Sequence, residues 1–182
     1  MAHVPLREDL PGIRGLMAFR PDTGKVLMQL AEVLLRGAST LTRGERELIA
    51  AFVSTRNDCT FCSRSHAAFA AAQIDGGTDV VEAARRDPGS APISLKLRRL
   101  LAIAERVQES GKKVDDEVLA AARTAGASDM EIHDTVLIAS AFCMFNRYVD
   151  GLGAITPNDP HAYEAMAKVL VRDGYVRPLP ER

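Results

Sequence analysis

Cys59, Cys62 and His66 form a CxxC followed after three residues by histidine, within Asn57-Asp58-Cys59-Thr60-Phe61-Cys62-Ser63-Arg64-Ser65-His66. Residues three and four apart are neighbours on a helical surface, so a helix through this segment stacks two thiols and a titratable base on one face. That is an arrangement for redox chemistry. Helical Cα atoms three apart lie roughly 5 Å from one another, within the ~4.4–6.8 Å that a disulfide accepts, so the pair can close without unfolding the helix. Asn57 and Asp58 are good N-cap residues and put both cysteines near the first turn, where the helix dipole favours thiolate over thiol; Cys59 should feel this most.

A carboxylate is placed beside this face by the preceding segment. If two antiparallel helices meet around Asn57 and Asp58, Glu47 lies about 15 Å back along one axis and His66 about 13 Å along the other, so the two are level. Glu47 shares its face with the small residues Ala50, Ala51 and Ser54, which admit a close neighbour, whereas Glu45 points towards solvent. A carboxylate against an imidazole orients the ring and raises its basicity, and the ring can then take a proton from Cys62 one turn away. Such a relay activates a thiol for attack on a peroxide oxygen; the resulting sulfenic acid condenses with the neighbouring thiol to a Cys59–Cys62 disulfide, which an external reductant must reopen.

The elements that must hold these residues read as helices throughout. Val26, Leu27, Leu30, Leu34 and Leu35 recur at helical spacing and stop at Gly37, predicting a helix over 23–36. Thr42-Arg43-Gly44-Glu45 is a capping box opening a second helix to about Arg56. The cysteine helix follows, through an alanine-rich stretch to Gln73, and then a short one over 78–86, closed by Asp87-Pro88-Gly89. Leu97, Leu100, Leu101, Ala104 and Val107 share a face of a helix over 94–109, followed by another over 115–125. A second capping box, Ser128 to Glu131, opens a long and central apolar helix to about Val149, and a last helix after Asn158-Asp159-Pro160 reaches Arg172. From Tyr175 onward, with Pro178 and Pro180, the tail is not helical.

Strand patterns are absent, so the reading is one all-α domain over 1–182, with a core of about 20–155, a helical N-terminal extension, and a C-terminal helix and tail at 158–182. An all-α chain also removes the thioredoxin reading of a CxxC, which needs βαβ units. With 23 Lys and Arg against 24 Asp and Glu, and no basic stripe interleaved with aromatics, no nucleic-acid partner is expected. The longest apolar run, Val136 to Phe145, falls short of the ~20 residues of a membrane span, and Arg7, Glu8 and Asp9 interrupt any signal-peptide core; a cytoplasmic, non-membrane protein is expected. Three cysteines, an odd number, argue against a secreted disulfide framework.

Leu41-Thr42-Arg43-Gly44-Glu45-Arg46-Glu47-Leu48-Ile49-Ala50, followed by Cys59-x-x-Cys62-x-x-x-His66, resembles the AhpD-like alkylhydroperoxidase branch of the carboxymuconolactone decarboxylase superfamily, and within it the peroxidase-related subgroup. Asn146-Arg147 and Asp150-Gly151-Leu152-Gly153 add to the likeness, which covers roughly residues 20–155. The resemblance implies an all-α fold assembled into homo-trimers or hexamers, and a peroxidase in which Cys62 attacks the hydroperoxide and Cys59 resolves, with Glu47 and His66 as the proton relay and a thiol or disulfide reductant of unknown identity. Proteins of that branch carry a histidine immediately before the second cysteine, and this chain has Phe61 there.

Other readings attach to the same residues. Cys, Cys and His are also soft metal ligands, but no second CxxC or HxxxH completes a tetrahedron, so neither metal nor cofactor is expected. A non-enzymatic helical oligomer using the CxxC as a redox or metal sensor is the alternative; decarboxylation of a lactone acid would leave the thiols idle. Cys143 reads as a buried small hydrophobe, His133 and His161 as exposed, and His3 as part of a mobile terminus. Asn146, Arg147 and Asp150 read as a structural ion-pair patch. Met17, Phe19 and the proline-bearing tail read as surface covers or oligomer arms, because an extended segment buries little within its own subunit.

Overall fold

The periodicities resolve into nine α-helices among residues 2–179, the part described by the computed structural model. They are α1 (Ile13–Phe19), α2 (Pro21–Arg36), α3 (Arg43–Arg56), α4 (Thr60–Ala71), α5 (Gly77–Arg86), α6 (Leu95–Glu109), α7 (Asp116–Thr124), α8 (Asp129–Gly151) and α9 (Pro160–Asp173), with one turn of 3-10 helix at Gly111–Lys113. No strand occurs among the described residues, and the fold is all-α. Both expected capping boxes are present: Thr42 accepts from the Glu45 N–H while the Glu45 carboxylate accepts from the Thr42 N–H, and Ser128 and Glu131 do the same at the head of α8.

Leu48 through Val53 of α3 are closed to solvent on every side, which a helix achieves only when neighbours surround it. Those neighbours are α4, its most extensive partner, together with α8, α6, α5 and α2. The main core joins this helix to Leu100, Leu101, Ile103 and Ala104 of α6 and to Ile138, Ala139 and Phe142 of α8. A second cluster gathers Leu16, Cys59, Phe61, Cys62, Val149, Ala154 and Tyr163, with Val4, Leu6 and Ile13 packed against it. The cysteines therefore lie in an apolar layer between the α3–α4 turn, the N-terminal segment and α9.

Helix α2 forms where its periodicity predicts, and two expectations about the ends of the chain are corrected. The buried face of α2 is Gly24, Met28, Ala31 and Leu35, while Val26 stands 61% exposed; in a helix with apolar residues on more than one side, periodicity alone does not choose the face. The N-terminal arm does not depend on another subunit for cover. It folds into α1, where Leu16 and Met17 are buried within the chain, while Phe19 is half-buried, and the His3 N–H donates to the Leu152 carbonyl at 2.9 Å. The tail is likewise not a free cover: Tyr175 packs against the core. The tail residues Pro180 to Arg182 lie outside the described residues. No helix among the described residues is long and apolar enough to cross a membrane.

Candidate active site

The turn that presents the cysteines is a Schellman motif closing α3. Asn57 caps the helix, Asp58 takes the left-handed conformation (φ 57°) that short polar side chains tolerate, and the chain is pinned by Asp58 N–H to the Thr55 carbonyl (3.1 Å) and Cys59 N–H to the Ser54 carbonyl (3.0 Å). Asn57 and Asp58 thus end one helix rather than start the next. Cys59 itself is the N-cap of α4, with φ −82° and ψ 96°, and its side chain makes no capping bond. Cys62 is in the first turn of α4, and His66 lies one turn further on.

Cys59 is fully buried and Cys62 is 4% exposed; both are free thiols. A hydrogen bond that the Cys59 thiol donates to the neighbouring Cys62 side chain, then burial, drive the Cys59 pKa far up, and the Asp150 carboxylate adds to this. The expectation that the helix dipole favours the Cys59 thiolate is therefore reversed: the bond to Cys62 and then the loss of water around the sulfur outweigh the field of the helix.

Phe61, between the two cysteines, is an apolar plug. It is buried, tilted against Tyr163 at 6.2 Å between ring centroids, and overlain by the backbone of Gly12, where a Cβ would overlap the ring. Gly12 adopts φ 60°, a conformation open to glycine at little cost, and its N–H donates to the Ile155 carbonyl at 2.7 Å.

Glu47 and His66 meet as their register requires. The His66 Nδ1 lies 2.6 Å from Glu47 Oε2, with the Glu47 side chain 1% and the His66 side chain 12% exposed. The imidazole stands edge-on to Phe142 (4.5 Å) and Phe69 (5.2 Å) and is stacked over Tyr175 (6.3 Å, 14° between planes). Among the described residues no hydrogen bond joins His66 to either thiol; the side-chain bond of the ring goes to Glu47. Tyr175, which sequence reasoning left in the tail, completes the group: its hydroxyl donates to Glu47 Oε1 at 2.6 Å. The only local signal was Gly174 after the last helix, a turn residue that reverses the chain; a Cβ there would come within 2.6 Å of the Glu32 carboxylate.

The expected ion-pair patch at the end of α8 is instead an amide network. Asn146, buried, donates to Ser54 Oγ (3.0 Å) and accepts from Asn57 Nδ2 (2.8 Å), and Gln108 donates to Asn57 Oδ1 (2.9 Å). Arg147 donates to the Cys143 carbonyl, and among the described residues neither it nor Asp150 makes an ion pair. Cys143 is half-buried rather than core, its sulfur 3.6 Å from Asn57 Nδ2. His133 and His161 are exposed. Among the described residues no three His, Cys, Asp or Glu side chains are arranged to hold a metal ion. A groove of about 670 Å³ runs between α4, α5 and α9, floored by Ala67, Ala68 and Ala71 and walled by Tyr163 and Arg64.

A model of the carboxymuconolactone decarboxylase family matches residues 21–88, the stretch that holds Glu47, both cysteines and His66. No curated protein matches the chain. Two solved structures share its fold. One is an uncharacterized peroxidase-related protein from Silicibacter sp. TM1040, at 23% identity and TM-score 0.76 over 86% of this chain and 80% of that one. The other is described as an alkylhydroperoxidase AhpD core, an uncharacterized peroxidase-related protein from Ralstonia eutropha JMP134, at 24% identity and TM-score 0.79 over 92% and 97%. The family model thus matches the cysteine-bearing segment, and the two solved structures share the all-α fold built around it.

Proposed function

We propose that the protein is a thiol-dependent peroxidase that reduces hydrogen peroxide or organic hydroperoxides through Cys59 and Cys62. The observation that carries the reading is the 2.6 Å bond between Glu47 and His66, one helical turn from Cys62 in a layer otherwise lined by apolar groups. A buried carboxylate that accepts the Nδ1 proton leaves Nε2 as a base, and the Cys62 proton reaches it through one intervening water or a side-chain rotation. The Cys62 thiolate attacks the distal peroxide oxygen; the O–O bond breaks, an alcohol or water leaves with the proton held by His66, and Cys62 becomes a sulfenic acid. Cys59 attacks that sulfur and water leaves, so that dithiol and hydroperoxide yield disulfide, alcohol and water. The raised Cys59 pKa supports this order, because the thiol that stays protonated is the poorer first nucleophile. A small dithiol or a partner thiol then reduces the disulfide.

Exposure of the whole chain to one equivalent of peroxide, followed by mass spectrometry, tests this. An internal Cys59–Cys62 bond with Cys143 free is expected, and peroxide consumption with a dithiol reductant should vanish in Cys62→Ser. Steady wild-type rates in Cys62→Ser would defeat the proposal.

A second reading, a redox sensor without turnover, draws on the burial of both thiols and on Phe61 packed between them. One stoichiometric oxidation followed by no further consumption in the presence of excess dithiol would select it. In either case the rows Met130, Leu137 and Met144 on α8 and Val26 and Val33 on α2, exposed apolar residues spaced two turns apart, support a homo-oligomer.

A further inference from the structure

Glu47 carries two short hydrogen bonds, one on each oxygen. Oε2 meets His66 Nδ1 and Oε1 meets the Tyr175 hydroxyl, both at 2.6 Å. The second donor comes from the far end of the chain, and three features hold it there. Gly174 turns the backbone at φ 76° after α9; the Tyr175 N–H donates to Glu32 Oε2 at 2.7 Å; and Arg36, paired with Glu32, donates to the Leu170 and Val171 carbonyls at the end of α9. The residue as a whole is half-buried, but its hydroxyl ends on a carboxylate that is 1% exposed, and its ring lies parallel to the imidazole.

We infer that Tyr175 is a positioning residue of the active site, which holds the Glu47 carboxylate in place as the acceptor of the Nδ1 proton and thereby holds His66 in the tautomer whose Nε2 is free to act as base. The assignment deepens the peroxidase reading and borrows from it only the role of the base. A carboxylate this deeply buried has lost its water and depends on a donor at each oxygen for its orientation. Without the phenol, Oε1 has no partner, and the carboxylate is free to turn away from the ring. An imidazole whose Nδ1 has lost its acceptor carries its proton on Nε2 instead, which removes the base. Burial, then the neighbouring Glu47 charge, push the Tyr175 pKa well up, so the phenol remains a donor. The other charged groups facing this cluster are Glu32 and Arg36 on α2, Arg46 on α3 and Arg177 in the tail; none donates to Glu47, and Tyr175→Phe leaves all four in place.

The test is the ¹⁵N spectrum of the His66 ring in the full chain, which reports directly which nitrogen carries the proton. Wild type should show a protonated Nδ1 and a bare Nε2, together with a slowly exchanging Tyr175 hydroxyl proton that disappears in Glu47→Gln. Tyr175→Phe, which retains the ring, should convert much of His66 to the Nε2–H form, and should lower kcat for peroxide about tenfold with KM unchanged. In a Glu47→Gln background the added Tyr175→Phe change should leave the tautomer unaltered, because the effect passes through the carboxylate. A wild-type spectrum without the protected hydroxyl overturns the assignment whether or not the variant folds. So does an unchanged tautomer in Tyr175→Phe, or a tautomer shift that persists without Glu47. The spectra need no turnover: if they behave as described while wild type consumes no peroxide, the peroxidase reading falls and the role of Tyr175 stands.

Discussion

Asn57 donates its side-chain amide to Asn146 Oδ1 at 2.8 Å, tying the turn that carries Cys59 to the middle of the fold. The same Asn146 donates onward to Ser54 Oγ, and the Ser54 carbonyl receives the Cys59 N–H. The dithiol is therefore held by α8 as well as by its own helix. Asn146→Ala leaves the buried Ser54 hydroxyl and the Asn57 amide short of a partner, so it should lower unfolding free energy by about 2 kcal/mol in urea titration. A change below about 0.5 kcal/mol would show that water replaces the amide without loss.

Cys59 has a raised pKa and no exposure. A raised thiol pKa means less thiolate at any given neutral pH, so iodoacetamide should modify Cys59 last, after Cys62 and the half-buried Cys143. Leu16→Ala opens a cavity in the layer over the thiols. It should cost about 3 kcal/mol of stability and should speed alkylation of Cys62; peptide mass mapping against time reads both the order and the acceleration.

Glu131 sits at the head of α8, 4% exposed, and is paired with Lys96 at 2.7 Å. Burial by itself would raise its pKa, but Lys96, the Ser128 N–H and Thr40 outweigh burial and hold it at about 2, below the ordinary 4.5. A lowered folded-state pKa contributes stability that is present above the unfolded value and lost as pH falls through the folded one. Wild type should therefore lose about 3 kcal/mol between pH 4.5 and 2 from this group. In Glu131→Gln that part of the pH dependence should be missing from thermal melts across the same range.

Leu137 is 41% exposed midway along the apolar row of α8. Leu137→Glu should reduce the mass seen by light scattering from an oligomer towards that of one chain, with the helical circular dichroism retained. An unchanged mass would place the subunit contacts on another face.

Local chemistry made much of this protein legible before any coordinates. Thr42 with Glu45 and Ser128 with Glu131 announce helix starts because a capping box satisfies donors within three residues of itself. Glu47 and His66 face each other because helical rise fixes how far each lies from the shared turn. Tertiary structure alone decided the rest. Tyr175 reaches Glu47 across 128 residues, and no local spacing encodes a contact made by a chain that turns back at Gly174. Asn57 and Asp58 have the composition of an N-cap and serve as a C-terminal stop, because Asp58 takes a left-handed conformation and the Asp58 and Cys59 N–H groups close back on the Thr55 and Ser54 carbonyls. The Cys59 thiol follows its bond to Cys62 and its burial rather than the helix dipole, and that burial depends on a layer to which Leu16 and Tyr163 come from opposite ends of the chain.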